Sequence, residues 1–442
     1  MIKVITYGTY DLFHYGHQRL LERAKELGDY LIVGVTADDF DKQRGKINVK
    51  QSLMERIESV RATGLADEII IEEYEGQKID DIKRYDVDIF TVGTDWVGHF
   101  DYLKEYCDVV YLERTEGVSS TDIRSKNRSV NLGLVGEGNI LKKFFDESKF
   151  VNGIEVNAIL ADNEEEKKCY ENEDLTFAHD YDELLDLVDA VYIISHPSKH
   201  YLQIKKALNH GIHVLCESPF ALKENECIEL EQLALDNNLI LMDSIKTAYS
   251  TAYNRLLLIL KGGKIGDVYS IDATCTSLRD YDDNSWNSIT AWAPTALLPI
   301  FQILGVDYKN KTINSLILED KPNFDLFTKI DFQYDNAVAS IKVANSVKSE
   351  GELIISGSEG YAYVPAPWWK TDYFELRYEN QEENKKYFYQ LDGEGIRYEL
   401  VAFAKSIELG KNNAYIDFEV SKEICRIMED FENKDMNVIK KY

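Results

Sequence analysis

The chain has 442 residues, of which 44% are hydrophobic and 29% charged, a composition typical of a folded protein with two or three domains. Its 78 acidic and 50 basic residues give a formal net charge of -28, which argues against duplex nucleic acid or an anionic membrane as a partner. The six cysteines show neither CxxC pairing nor zinc-type spacing and predict reduced thiols. With no signal peptide and no membrane-spanning run, we expect a cytoplasmic protein.

The first 125 residues alternate short apolar runs with amphipathic segments. The predicted strands cover 2–7, 30–35, 68–71, 88–92 and 109–112, and the predicted helices cover 17–27, about 52–63 and 78–84. Alternation of this kind predicts an α/β fold with a doubly wound parallel sheet.

Residues 8–17, GTYDLFHYGH, join the first predicted strand to the first predicted helix. In an open parallel sheet such a crossing lies at the carboxyl edge, where ligands bind and the helix start presents free amide groups. His14 and His17 lie at the mouth of that helix, and Gly16 between them allows close approach of the backbone. The segment is a candidate phosphate site, although an isolated HxxH pair is more often two solvated histidines.

A second segment of phosphate-binding composition follows the last strand of this region. Residues 114–124, RTEGVSSTDIR, combine a guanidinium group, a glycine, hydroxyls and the free amides of a helix start. Together with 8–17 and with 93–96, GTDW, this segment resembles the nucleotidyltransferase superfamily, and more closely the glycerol-3-phosphate cytidylyltransferase family. The resemblance extends over about the first 125 residues.

The resemblance implies cytidylyl transfer from CTP to a small polyol phosphate, with Mg²⁺ as cofactor and pyrophosphate as the leaving group. Such a reaction depends on charge neutralisation and in-line positioning. The implied catalytic residues are His14, His17, Arg44, Lys46 and Arg114. The implied nucleotide-binding residues are Gly8, Thr9, Tyr10, Asp11, Gly16, Asp95, Thr115, Ser119, Ser120 and Thr121. Asp11 is also the candidate Mg²⁺ ligand.

After a polar hinge at 125–129 the pattern starts again. A predicted strand at 130–135 leads into Gly136, Gly138, Asn139 and Ile140, the candidate dinucleotide loop, although the glycine signal alone is weak. A second predicted strand, 156–161, ends at Asp162, where an acid can bind the ribose hydroxyls and favours NAD over NADP.

Residues 189–197, DAVYIISHP, and 211–222, GIHVLCESPFAL, continue this pattern and resemble the Gfo/Idh/MocA oxidoreductase family. The resemblance continues to the end of the chain. The further cofactor contacts that the resemblance implies are Ser195, Pro197, His200, Glu217 and Pro219. We therefore expect a cytidylyltransferase domain over 1–126, a Rossmann domain over 130–249, and an α+β domain with a mostly antiparallel sheet over 250–442.

The second half departs from that family where a proton donor is needed. The usual Glu-Lys-Pro is Glu217-Ser218-Pro219, and residues 289–302 contain no ionisable side chain where the family carries an aspartate and a histidine. Reduction of a carbonyl needs a proton donor of suitable pKa. Either a relocated acid, Lys246 or a tyrosine such as Tyr249, serves an active NAD(H) reductase, or the module has lost its chemistry and binds ligand or drives dimerisation.

The leading hypothesis is an enzyme that makes a CDP-activated polyol for teichoic-acid or capsule assembly, with the reductase-like half supplying the acceptor. The alternative is a nicotinamide-dependent oxidoreductase or sensor with a regulatory nucleotide-binding domain. Glycerol phosphate, a pentitol phosphate and a phosphonate all remain open as acceptors. We expect a homo-oligomer, either a dimer or a tetramer.

Overall fold

The computed structural model describes residues 1–37, 49, 51, 53–74, 76–113, 129–136, 139–151, 153–160, 167, 169–170, 173, 175–278, 286–319, 321, 324–389, 391, 393–412 and 414–441. The chain divides into two compact units, Met1–Ser129 and Val130–Tyr442. The further division of the second unit at residues 249 and 250 stays a prediction.

A parallel sheet forms the centre of the first unit. Its strands are β1 (Lys3–Gly8), β2 (Tyr30–Thr36), β3 (Glu68–Glu72), β4 (Ile89–Gly93) and β5 (Asp108–Leu112). They are ordered β3-β2-β1-β4-β5, and each neighbouring pair is parallel. The helices of the described part are α1 (Tyr15–Glu26), α2 (Leu53–Arg61) and α3 (Gln77–Tyr85). The predicted doubly wound parallel fold is confirmed.

Apolar side chains cover both faces of this sheet. Because successive strand residues point to opposite faces, Val4 of β1 packs with Leu21 of α1 and Ile57 of α2, whereas Ile5 packs with Ile82 of α3. Each such buried aliphatic side chain contributes about 1.5–3 kcal/mol relative to an exposed one. Burial on both faces explains why the strands read as continuous apolar runs.

The strand order of the first sheet reverses between β1 and β4. A crevice opens at such a switch point, beyond the carboxyl ends of the strands. Residues 8–17, which follow β1, therefore lie at the edge where ligands bind in folds of this kind.

The second unit begins with another parallel sheet, ordered β11-β10-β9-β6-β7-β8. Its strands are β6 (Val130–Gly136), β7 (Ile154–Leu160), β8 (Thr176–Phe177), β9 (Ala190–Ile194), β10 (His213–Glu217) and β11 (Leu241–Ser244). The helices of this part are α4 (Asn139–Ser148), α5 (Tyr181–Leu187), α6 (Pro197–Asn209) and α7 (Glu224–Asp236). The reversal between β6 and β9 is that of a Rossmann fold.

A second, mixed sheet follows in the order β19-β18-β17-β16-β12-β15-β14-β13-β20. Its strands are β12 (Val268–Thr276), β13 (Asn310–Leu318), β14 (Asp325–Gln333), β15 (Val338–Ala344), β16 (Leu353–Gly357), β17 (Tyr361–Val364), β18 (Tyr373–Arg377), β19 (Lys385–Phe388) and β20 (Asn437–Lys441). Only the β12–β15 and β13–β20 pairs are parallel among these described strands, which confirms the mostly antiparallel sheet predicted.

Helices α8 (Thr251–Lys261), α9 (Ser288–Leu304), α10 (Ile396–Leu409) and α11 (Phe418–Glu432) complete the described part of this unit. The segment without ionisable residues is the buried helix α9, which contains Pro294 and Pro299. Among the helices that the structure describes, none combines the length and the apolar character needed to cross a bilayer.

Candidate active site

His14 caps the helix that starts at the switch point of the first sheet. Its backbone is extended, and its Nδ1 accepts a hydrogen bond from the Gly16 amide at 3.0 Å. Because Nδ1 is an acceptor, the neutral ring carries its hydrogen on Nε2. The cap therefore fixes the tautomer and leaves Nε2–H as the donor of His14.

His17 lies one turn further along and stacks on His14, with ring centroids 3.9 Å apart and an interplanar angle of 20°. The edge of Tyr10 meets the His17 ring at 5.4 Å between centroids, and Phe13 lies at 5.5 Å. Tyr10 is buried, and a Cβ at Gly8 would lie 3.0 Å from its ring. Gly8 therefore makes room for the aromatic ring that supports His17.

Three side chains hold this loop in place. The Asp11 carboxylate accepts a hydrogen bond from the backbone amide of Gln51 at 3.0 Å. The side-chain oxygen of Gln51 accepts one from the backbone amide of Leu12 at 2.8 Å. Fully buried Arg56 donates to the carbonyls of Thr9 at 2.7 Å and Gln51 at 3.2 Å, and also to the end of β2. Charge-assisted bonds of this kind make Arg56 a positioning residue for the loop.

The sequence prediction did not include Arg56. Its place three residues after Leu53 and four before Val60 puts it on the buried face of α2, and that periodicity is a signal that could have found it.

A cavity of about 60 Å³ opens beside the loop. It is lined by Tyr7, Gly8, Thr9, Thr36, Glu72, Lys78, Phe90, Val92, Trp96 and Phe100. Its size suits a small polar group rather than a nucleotide. It lies along the carboxyl ends of strands on both sides of the switch point.

Among the described residues that line this cavity, Lys78 is the cation, and it is only 8% exposed. Its Nζ pairs with Glu72 and lies 4.6 Å from the centroid of the Tyr7 ring. The second oxygen of Glu72 accepts the Thr36 hydroxyl at 2.9 Å. The sequence prediction did not include Lys78, Glu72, Tyr7 or Thr36, because their convergence depends on four separate elements.

Seven predicted residues of this site lie outside the described residues: Arg44, Lys46, Arg114, Thr115, Ser119, Ser120 and Thr121. Asp95 belongs to the 3-10 turn Thr94–Trp96, whose last residue lines the cavity. The roles of these residues stay predictions.

In the second unit, Gly136 ends β6 with φ +141°, and a Cβ there would lie 2.6 Å from Ile194 of β9. Only glycine allows this close approach at the switch point. Asn139 and Ile140 start α4, whereas Gly138 and Asp162 lie outside the described residues.

His200 is fully buried beneath the same edge. Its Nδ1 lies 2.8 Å from the Pro219 carbonyl oxygen and its Nε2 lies 2.7 Å from that of Ser195. Burial lowers the pKa of His200 to about 4, so the ring is neutral and donates to one of the two carbonyls. His200 therefore packs between two edge loops and positions one of them by a hydrogen bond, and Pro197 starts α6.

Ser218, the residue that replaces the family's lysine, contacts the buried carboxyl group of Asp243. The Ser218 hydroxyl donates to Asp243 at 3.3 Å, and burial raises the pKa of Asp243 to about 7. Glu217 accepts the Tyr192 hydroxyl at 2.6 Å and that of Ser244 at 3.3 Å. Ser218 therefore faces inward to a carboxyl group.

The two candidates for a relocated acid differ in access. Tyr249 is buried, and its hydroxyl lies 3.4 Å from the Asp243 carbonyl oxygen. Lys246 follows β11, is 22% exposed and pairs with Glu394 at 2.9 Å. Solvent and ligand can therefore reach Lys246 but not the Tyr249 hydroxyl.

Within the ranges described, no three His, Cys, Asp or Glu side chains converge on a metal position. The parallel sheet with two histidines at the start of its first crossover helix defines a nucleotidyltransferase-type unit. The second unit combines a Rossmann sheet with a mixed sheet, as in oxidoreductases of the Gfo/Idh/MocA class.

Comparison with known proteins agrees with this division. Residues 5–126 match the cytidylyltransferase-like family, and 130–244 match the oxidoreductase family with an NAD-binding Rossmann fold. The glycerol-3-phosphate cytidylyltransferase of Bacillus spizizenii is 52% identical over 130 residues, which is 29% of this chain and 100% of the relative. That of Staphylococcus aureus is 50% identical over 129 residues, 28% of this chain and 95% of the relative.

A 3-ketoreductase from Actinomadura kijaniata, solved with TDP-benzene and NADP, has a TM-score of 0.64 at 17% identity. The match covers 71% of this chain and 100% of the ketoreductase, and it shows the fold of the second unit alone. Through its first unit the chain belongs to the glycerol-3-phosphate cytidylyltransferase family, with a Gfo/Idh/MocA oxidoreductase domain fused behind it. It is therefore an enzyme.

Proposed function

We propose that the first unit transfers a cytidylyl group from CTP to a small polyol phosphate, giving a CDP-activated alcohol and pyrophosphate. The stacked His14–His17 pair at the start of α1 carries the proposal. The relatives named as glycerol-3-phosphate cytidylyltransferases support the nucleotide and the class of acceptor.

In this reaction a phosphate oxygen of the acceptor attacks the α-phosphorus of CTP while the bond to pyrophosphate breaks. His14 donates a hydrogen bond from Nε2 to the charge that develops on the α-phosphate and the leaving group. His17, stacked beside it, also donates a hydrogen bond to this charge. A fixed donor of this kind contributes about 10²- to 10³-fold to the rate. The charge of the leaving pyrophosphate is neutralised by Arg44, Lys46 and Arg114. The hydroxyls at 119–121 donate hydrogen bonds to it.

Mg²⁺ would be held by triphosphate oxygens together with Asp11, and would supply further neutralisation of the leaving charge. The donor chemistry fits, because Asp11 is a carboxylate and the Gln51 amide orients its Oδ1. The carboxylate is therefore fixed by the protein whether or not a cation is bound.

The acceptor would place its phosphate near Lys78 and its hydroxyls near Thr36 and Glu72. Lys78 is the cation that lines the described cavity, whose volume of about 60 Å³ favours a short polyol over a sugar or a nucleoside. The carboxylate and hydroxyl opposite Lys78 suit an alcohol that both donates and accepts hydrogen bonds.

Pyrophosphate release from CTP tests this proposal across glycerol 1-phosphate, glycerol 3-phosphate, pentitol phosphates and small phosphonates. Release that depends on one ester supports the proposal and names the acceptor. If no ester causes release, or if ATP replaces CTP without loss, the proposal is wrong.

For the second unit we propose an NAD(P)(H)-dependent reductase that makes the phosphate ester from the matching keto compound. When bound, the nicotinamide supplies the hydride. Gly136 and the start of α4 form one edge of the cofactor site. Lys246 is the proton donor to the carbonyl oxygen. The accessible position of Lys246 favours it over Tyr249.

The second candidate function is a binding or dimerisation module without reductase activity. It is favoured because Ser218 faces Asp243 and α9 contains no ionisable side chain. Oxidation of NADH or NADPH by the matching keto phosphates decides between the two. Oxidation whose kcat at saturating keto phosphate is abolished by Lys246→Gln supports the reductase with Lys246 as proton donor, and no oxidation with any keto phosphate supports a binding module.

A further inference from the structure

Three lysines of the second unit converge on one carboxylate. Lys370 contacts Glu394 at 2.7 Å, Lys246 at 2.9 Å and Lys143 at 3.2 Å. They come from three separate elements: the 3-10 turn Trp368–Lys370, the turn after β11, and α4. We call Lys143, Lys246 and Lys370 the lysine cluster.

The lysine cluster carries more positive charge than Glu394 can neutralise. Burial alone would raise the pKa of Glu394, but hydrogen bonds from Lys370 and Lys246 outweigh it and lower that pKa to about 2. Three cations therefore face one anion, in a chain with a net charge of -28. The adjacent Arg397 and Glu147 form a pair of their own. The Lys246 charge also acts on Glu217 and Glu399, but burial raises the pKa of both carboxyl groups and favours their neutral forms, so the excess persists.

The backbone that presents Glu394 is unusual. Glu394 has φ +55° and lies between Gly393 at +59° and Gly395 at +94°. A Cβ on Gly393 would lie 1.9 Å from a Glu147 oxygen, and one on Gly395 would lie 2.6 Å from the Lys246 carbonyl oxygen. Left-handed backbone is unfavourable for a glutamate, so packing on both sides holds this carboxylate among the lysines.

The cluster lies on the ligand-binding side of the Rossmann sheet. Lys246 comes directly after β11, and Lys143 lies in the second turn of the helix that follows Gly136. The Lys246 charge also acts on Glu217 at the end of β10. The side chains of Lys246 and Lys370 remain 22% and 34% exposed, and that of Lys143 remains 54% exposed, so a ligand can reach them.

We propose that the lysine cluster binds the phosphate group of a small phosphate monoester, and that Glu394 occupies the phosphate position when no ester is bound. A phosphate dianion satisfies the excess charge better than a single carboxylate does. The inference rests on the proposed reductase only in that it names a keto phosphate as the substrate. Binding itself requires no turnover.

The test is calorimetric titration of the full chain with inorganic phosphate and with dihydroxyacetone phosphate. Glu394→Gln should tighten binding by about tenfold, because the competing charge is gone. Lys246→Gln and Lys370→Gln should each weaken binding by about tenfold or more, in proportion to one lost ion pair. Lys149→Gln, which removes an exposed lysine paired with Glu173, is the matched control and should change nothing.

Lys78→Gln, measured in parallel, removes the phosphate contact proposed for the first unit. If it abolishes all binding while the Lys370→Gln protein binds normally, the lysine cluster is only an ion-pair network. Weaker or unchanged binding by Glu394→Gln also overturns the inference. The same variants are also titrated with NADPH and NADH. If the lysine substitutions weaken the binding of NADPH alone and spare NADH and the phosphate esters, the inference is likewise overturned, since the cluster would then bind the 2′-phosphate of the cofactor.

The reductase proposal fails separately. If the cluster variants lose phosphate binding while no keto phosphate oxidises NADH, the site stands and the reductase does not. If NADH is oxidised and Lys370→Gln leaves the KM for the keto phosphate unchanged, the reductase stands and the site does not. Lys370→Gln keeps two cations on Glu394, so this variant should fold.

Discussion

The two ring nitrogens of His14 have different tasks, and substitution can separate them. Nδ1 accepts the Gly16 amide and caps α1, whereas Nε2 is the proposed donor to the reacting phosphate. Asparagine is a good helix cap but has no group at the position of Nε2. His14→Asn should therefore keep the cap and lose the donor, whereas His14→Ala should lose both.

The magnitudes follow from the two contacts. Loss of the cap in His14→Ala should lower the free energy of unfolding by about 1 kcal/mol, or about 4 °C in the thermal midpoint of the first unit. His14→Asn should stay within a few tenths of a kcal/mol of the parent protein. Both variants should lose about 10²- to 10³-fold in kcat, equal to about 2.7–4 kcal/mol of transition-state stabilisation.

The assay combines pyrophosphate release at saturating substrates with thermal unfolding of the same preparations. His179→Asn, at an exposed histidine of the second unit, is the matched control and should alter neither measurement. Turnover by His14→Asn at the parental rate would refute the donor role. A loss of turnover that merely follows the loss of stability across both variants would refute it as well.

Three further predictions concern other groups. Lys78→Gln should raise the KM for the phosphate ester by about tenfold or more while leaving that for CTP unchanged, and exposed Lys83→Gln on the same helix should change neither. Burial raises the pKa of Asp243 to about 7, so the folded protein holds this proton more tightly than the unfolded chain does. The resulting stabilisation should be complete below about pH 4 and lost as the pH rises to about 7; thermal midpoints should show that slope, and Asp243→Asn should flatten it. Gly136→Ala should weaken NADH binding by about tenfold or more in a fluorescence titration, whereas Gly153→Ala, also at positive φ but facing open space, should not.

Elements made of uninterrupted apolar runs could be predicted from the sequence. The first strand was expected over 2–7 and spans Lys3–Gly8, because β-branched residues buried on both faces leave little ambiguity. The first helix was expected from residue 17 but begins at Tyr15. Its cap is a histidine, and the residues usually sought at that position are Ser, Thr, Asp and Asn.

The parts of the site that could be predicted are those that lie close together in the sequence. His14 and His17 belong to one ten-residue segment. Lys78 could not be predicted, because an isolated lysine usually indicates a solvated surface, and only the tertiary fold brings it to Glu72. The pairing of Lys246 with Glu394, 148 residues away, likewise depends on the packing of two parts of the second unit.

The departures from the oxidoreductase family could be recognised from the sequence but not explained by it. Ser218 marked a missing lysine, and only the structure shows that its hydroxyl faces a buried carboxyl group. The stretch without ionisable residues is a buried helix, where a charged side chain would carry a large desolvation cost.

The most direct test of the account is phosphorus NMR of the full-length protein with CTP, Mg²⁺ and glycerol phosphate. Transfer predicts that the signals of a CDP-alcohol diphosphate and of pyrophosphate grow in equal amounts as those of CTP and the ester decline. Inorganic phosphate without the diphosphate product, or no change with any small phosphate ester, would contradict the assignment of His14 and His17 to cytidylyl transfer.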